Sequence, residues 1–88
     1  MSAGGKKWDW LRYQPIISPK YREAGRELSR DSLLRVDLAM AELLNGAKSG
    51  LPVGQNIFEF ALESGERIYY EVQGVNLCFH TVKPAPQK

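Results

Sequence analysis

Residues 56–83 read NIFEFALESGERIYYEVQGVNLCFHTVK, and the spacing of their side chains decides the fold. From Arg67 to Val72, the side chains Arg67, Tyr69 and Glu71 alternate with Ile68, Tyr70 and Val72. From Val75 to Val82, the set Val75, Leu77, Phe79 and Thr81 alternates with Asn76, Cys78, His80 and Val82. Period two in β-branched and aromatic residues, bounded by Gly65 and Gly74, predicts strands. Three antiparallel strands are expected, near residues 56–63, 66–73 and 75–82. A two-residue turn at Gln73-Gly74 sets Val72 opposite Val75, Tyr70 opposite Leu77 and Ile68 opposite Phe79. The same register sets Glu71 opposite Asn76, Tyr69 opposite Cys78 and Arg67 opposite His80. One face is then apolar, and the other carries Arg, Tyr, Glu, Asn, Cys and His. A turn one residue longer changes every partner.

The strand before these, IFEFALE, alternates Ile57, Glu59, Ala61 and Glu63 with Phe58, Phe60 and Leu62. Counting through Ser64-Gly65 puts the aromatic set on the face of Arg67 and Tyr69. Either that turn holds an extra residue, or the polar face is a half-buried groove with an aromatic floor.

Upstream of Gly54 the period changes to that of a helix. Ser18 at an N-cap followed by Pro19 starts one helix, expected near residues 19–29, with Tyr21, Ala24 or Gly25, and Leu28 on one face. Gly25 weakens it by about 1 kcal/mol relative to alanine and suggests a close approach to the next helix. The polar run Ser29-Arg30-Asp31-Ser32 offers caps for a second helix near residues 32–45, ended by Asn45-Gly46. Its apolar positions Leu33, Val36, Met40, Leu43, Leu44 and Ala47 recur at three and four. Leu34, Leu38 and Ala41 widen that stripe beyond one packing face. The second helix is therefore expected to meet the sheet on one side and the first helix, or another subunit, on the other. A homodimer through this helix is one expectation. AKSGLPVGQ reads as a loop. At the start of the chain, Trp8, Trp10 and Arg12 alternate with Asp9, Leu11 and Tyr13 as a short first strand, the tryptophans covering an edge of the core.

These elements define an α+β domain, with two N-terminal helices packed on one face of a small antiparallel sheet. A flexible leader spans residues 1–7, the domain 8–83 and a tail 84–88. No apolar run approaches the roughly 20 residues that span a bilayer, and MSAGGKK lacks the apolar stretch of a secretory signal. One cysteine builds no disulfide framework, in keeping with a cytoplasmic protein. One histidine and one cysteine are too few for a zinc site, and GLPVG lacks the lysine of a phosphate loop. No metal or cofactor is expected. Residues 1–35 hold eight Lys/Arg against four Asp/Glu, whereas residues 36–88 hold four against six. The candidate phosphate contacts on the basic side are Lys20, Arg22, Arg26, Arg30 and, in the linker, Lys48.

The R-I-Y-Y strand after a glycine turn, the hairpin that follows, and the H-x-x-K ending at Lys83 resemble the second half of the RelE/ParE/HigB-like bacterial toxins. YREAGRELSRDSLLRVDLAMAELLNGAKSGLPVG is similar to that family's paired helices and following loop, so the resemblance covers about residues 16–83. It implies a compact twisted sheet with two helices on it. It also implies one of two activities, cleavage of messenger RNA on the ribosome or inhibition of a protein target such as gyrase. An antitoxin partner is implied in either case. In the nuclease branch, basic side chains hold phosphate while Tyr, His, Lys or Glu moves protons. By resemblance Arg67 matches the strand arginine, and His80 and Lys83 match polar positions at the end of the sheet, with Tyr69 as a further candidate. Two departures accompany these matches. Several nucleases place a catalytic tyrosine on a C-terminal helix, whereas this sequence closes at PAPQK, and its linker carries a single lysine. The alternative to a nuclease is a non-catalytic protein-binding module of the same shape.

Overall fold

The computed structural model describes residues 12–86. Its elements are β1 (Gln14–Ile17), α1 (Pro19–Arg26), α2 (Arg30–Leu44), β2 (Leu51–Gly54), β3 (Ile57–Ala61), β4 (Arg67–Gln73) and β5 (Asn76–Lys83). The five strands form one sheet in the order β1-β5-β4-β3-β2. The three expected strands are its antiparallel centre, and one short strand is added at each edge.

Both helices start where a serine hydroxyl satisfies a free backbone amide. Ser18 Oγ accepts from the Tyr21 amide at 3.0 Å, with Pro19 in the first turn. Ser29 Oγ accepts from the Ser32 amide at 3.1 Å. The Ser18 hydroxyl also donates to the His80 carbonyl at 2.9 Å, fastening the start of α1 to β5. Asn45 caps α2, and Gly46 turns away at φ +82, a backbone angle that favours glycine. At Gly25 an added Cβ would meet only Leu33 Cδ1, at 4.0 Å. The expected close approach of the helices is therefore absent there.

The register of β4 against β5 differs from the expected one in two ways. The turn falls at Gly74-Val75, so that Gln73 faces Asn76, Val72 faces Leu77 and Tyr70 faces Phe79. Moving the turn by one residue on each strand preserves the faces, but it leaves Val75 at the tip, 64% exposed rather than on the apolar face. A bulge then intervenes, because Tyr70 faces Phe79 whereas Tyr69 faces Thr81. His80 is the extra residue. Beyond it the faces of β5 are exchanged, and Val82 turns into the core opposite Ile68. Between β3 and β4, residues 62–66 form the turn, with the Leu62 amide donating to the Glu66 carbonyl at 2.8 Å. That longer turn resolves the aromatic conflict: Phe58 faces Tyr70 and Phe60 faces Ile68, on the helix side.

The core lies between the helices and that face. Ile68 and Phe79 are fully buried against Tyr21 of α1 and Val36, Ala39, Leu43 and Leu44 of α2. Phe79 also packs on the rings of Tyr21 and Tyr70, and the Tyr70 ring stacks on Phe58 at 5.5 Å. The linker holds β2 where a loop was expected. Pro52 and the glycines disfavour a central strand but not an edge, and β2 pairs only with β3. At the opposite edge β1 runs parallel to β5, with Ile16 beside Cys78, and the Gln14 amide donates inward to Val75. Of the expected first strand, Trp8 and Trp10 lie outside the described residues. Arg12 and Tyr13 precede β1, their amides both directed to the Leu44 carbonyl. The leader at residues 1–7 likewise lies outside them.

Candidate functional site

Residues directly opposite each other in a sheet share a face, so the pairings define rows on the side away from the core. Ala61, Arg67 and Lys83 form one row. Glu59, Tyr69 and Thr81 form the next, and Ile57, Glu71 and Cys78 the third. The hydrophobic core draws on none of these nine side chains. The period-two pattern of β4, with Tyr70 and Ile68 held in the core, is what commits Arg67, Tyr69 and Glu71 to this surface.

Two hydrogen-bonded pairs occupy the middle of the face. The Tyr69 hydroxyl donates to Glu59 Oε2 at 2.6 Å. This bond raises the Tyr69 pKa, with help from partial burial, while the neighbouring Arg67 guanidinium acts in the opposite direction. Across the bulge, His80 Nε2 lies 3.0 Å from Glu71 Oε1. Hydrogen bonds from Gln73 and then His80 hold the Glu71 carboxyl below its ordinary pKa. The cations form a third group: Lys83 stands opposite Arg67, and its Nζ sits 5.6 Å from the centroid of the Tyr69 ring.

The four candidate catalytic residues Arg67, Tyr69, His80 and Lys83 thus share one surface, but not in the expected arrangement. Arg67 is opposite Lys83 and not His80, because the shifted turn and the bulge carry His80 toward Glu71. Glu59 and Glu71 are the additional participants. The signal for Glu59 is a single carboxylate between Phe58 and Phe60, whose aromatic rings must face inward. Neither glutamate pairs with Arg67 as a simple charged sheet face would have it. Glu66 is also engaged elsewhere: it is fully buried, accepting from Ser32 at 2.5 Å, from Ser64, and from Arg35 at 2.9 Å. Cys78 is buried beside Ile16, a small side chain filling space at the edge of the face.

The five candidate RNA contacts are all exposed and are dispersed. Lys20 and Arg26 line a shallow groove with Thr81, the partner of Tyr69, so they border the site from α1. Arg22 and Arg26 line a second groove with Tyr21, Leu33 and Met40. Arg30 opens α2, and Lys48 lies beyond the helix, near Phe58 and Phe60. Among the described residues, no group of three metal-ligating side chains comes together, and no helix is long and apolar enough to cross a membrane.

Two helices over one face of a five-stranded mixed sheet, with a polar face behind, make this a RelE-like toxin fold. The comparison that establishes it is with E. coli toxin RelE, a mutant form solved in the free state. The two superpose with a TM-score of 0.71 over 84% of each chain, at 18% sequence identity. No protein-family model matches the sequence, and no curated protein matches it.

Proposed function

We propose that this protein is the toxin of a toxin–antitoxin pair, acting in the cytoplasm as a metal-independent, ribosome-associated messenger RNA endoribonuclease. The observation that carries the reading is the placement of Arg67 and Lys83 beside two proton-carrying pairs, Tyr69–Glu59 and His80–Glu71, on the exposed face of a RelE-like sheet. Metal-free RNA cleavage needs three things. A base removes the 2′ proton as that oxygen attacks phosphorus, an acid protonates the departing 5′ oxygen, and a cation stabilises the charge on the phosphorane. Arg67 offers the planar fork that grips two phosphate oxygens, and Lys83 adds a mobile point charge. His80, oriented by Glu71, moves the proton through its imidazole nitrogen. Tyr69, hydrogen-bonded to Glu59, is the second group able to do so. Lys20 and Arg26 extend the phosphate track at the border, with Arg22, Arg30 and Lys48 as outlying contacts to the ribosome or RNA. An antitoxin segment would silence the site by covering this face.

One observation favours a non-catalytic, protein-binding role of the same fold. Glu59 and Glu71 place two carboxylates among the three basic groups, which weakens attraction for a polyanion.

Single-turnover cleavage of ribosome-bound messenger RNA, with free RNA as control, tests the proposal. Wild type should cut only in the ribosomal complex. Absence of cutting under every ribosomal condition transfers the assignment to the protein-binding module.

A further inference from the structure

The outer surface of α2 carries a second feature, independent of the nuclease reading. Leu34 and Leu38 are 62% and 66% exposed, although they sit in the middle of a helix whose inner face is fully packed. Arg30 lies one turn before Leu34, and Glu42 one turn after Leu38. At spacings of four, Arg30, Leu34, Leu38 and Glu42 form one continuous ridge, the kind that packs into a neighbouring helix. Among the described residues, neither Arg30 nor Glu42 takes part in an ion pair. Arg35, on the flank, is already committed to Glu66.

The charge order along the ridge selects its occupant. Reading cation, leucine, leucine, anion, the ridge is complementary to itself when reversed. In an antiparallel pair related by a two-fold axis between Leu34 and Leu38, each Leu34 meets the other copy's Leu38. Each Arg30 then meets the other copy's Glu42. A parallel pair would set Arg30 against Arg30 and Glu42 against Glu42. We propose that a second copy of this chain docks on the ridge, forming a two-fold dimer through antiparallel α2 helices. The half-buried Ala41 beside the ridge lets the backbones approach. Two-fold contacts of this kind are self-complementary by construction. A contact of a few helical turns falls short of the roughly 1,600 Å² buried in a standard interface, so the dimer is expected to be concentration-dependent.

Sedimentation equilibrium of the full chain across a concentration series is the test. Leu38→Glu should abolish association. Arg30→Glu alone sets two carboxylates together at both ends of the contact, and Glu42→Arg alone sets two cations together. Each should weaken the dimer by about tenfold or more. The double exchange Arg30→Glu/Glu42→Arg restores opposite charges and should restore association. Far-UV circular dichroism of each variant should match wild type, since Arg30 and Leu38 are exposed and Glu42 is outside the core. A wild-type protein that stays monomeric at millimolar concentration overturns the proposal. So does a dimer indifferent to these variants, or a double exchange that fails to recover association.

Discussion

The His80 imidazole reaches Glu71 at 3.0 Å because β5 carries one residue more than β4 between Phe79 and Thr81. The bulge moves the only histidine of the chain away from Arg67 and gives it a carboxylate partner. If His80 transfers the proton in RNA cleavage, His80→Ala should lower the single-turnover rate by about 100-fold or more without unfolding the protein. Glu71→Gln should give a smaller loss, since it removes the orienting charge and keeps the imidazole. Equal rates for wild type and His80→Ala would remove His80 from the chemistry.

Arg67 and Lys83 make a separate prediction, because they share a row and His80 does not. Arg67→Lys should be damaging even though the charge is kept, as one ammonium does not reproduce a bidentate guanidinium. Binding of the uncleaved ribosomal complex should weaken for Arg67→Ala and Lys83→Ala while His80→Ala binds nearly normally. Normal binding by both cation variants would place the phosphate elsewhere.

Glu66 should govern acid stability. Burial by itself would raise its pKa, but the hydroxyls of Ser32 and Ser64, the Arg35 guanidinium and its own backbone amide outweigh it and hold the carboxyl at about 2, against an ordinary 4.5. The folded chain therefore binds fewer protons than the unfolded one between those values. The stabilisation is complete above pH 4.5 and is lost as pH falls toward 2. Urea midpoints should decline through that window for wild type, and decline less for Glu66→Gln. Ser32→Ala should cost about 1–3 kcal/mol near neutral pH by leaving the buried carboxylate short of a donor. Parallel curves for wild type and Glu66→Gln would refute this.

Leu77 and Val75 separate the observed register from the expected one. Leu77 is 2% exposed, and truncation to alanine should cost about 2–5 kcal/mol through lost burial and a cavity. Val75 sits at the turn, where the same truncation should change stability by less than about 0.5 kcal/mol. Denaturant unfolding of the two variants measures both, and similar losses would contradict the turn at Gly74-Val75.

Gly25 offers a stabilising change. The added methyl meets only Leu33, at an ordinary contact distance, so Gly25→Ala should stabilise by about 0.4–1 kcal/mol by restricting the unfolded chain. A lowered thermal midpoint would show that the space there is smaller than described.

The alternation of β4 and β5 was readable in the sequence because each core residue has a polar neighbour on both sides, and so were the serine starts of the helices. The bulge was not, since Phe79-His80-Thr81-Val82 alternates well enough to continue without it. Only the need to bury Val82 rather than Thr81 against Ile68 reveals the extra residue. The edge strands were hidden for another reason. QPII and LPVG are four residues long with a proline in each; QPII becomes a strand only through β5, distant in sequence, and LPVG only by folding back on the neighbouring β3. In the site, Arg67, Tyr69, His80 and Lys83 were found as residue types on strands. Their grouping depended on the register, and the roles of Glu59 and Glu71 emerge from pairings that no local pattern specifies. Glu66 reads as a surface charge beside a turn, and its burial comes from Ser32 and Arg35, 34 and 31 residues away.

Among the described residues, each edge strand of the sheet carries a proline, Pro15 in β1 and Pro52 in β2. Because the Gln14 amide points inward, the next position along β1 is the one whose amide would face outward, and there proline has no hydrogen to offer. Pro52 likewise stands in the opposite edge strand, at a position with no amide hydrogen. A stray β-segment arriving at either side meets a residue that cannot donate, which disfavours growth into open-ended fibres.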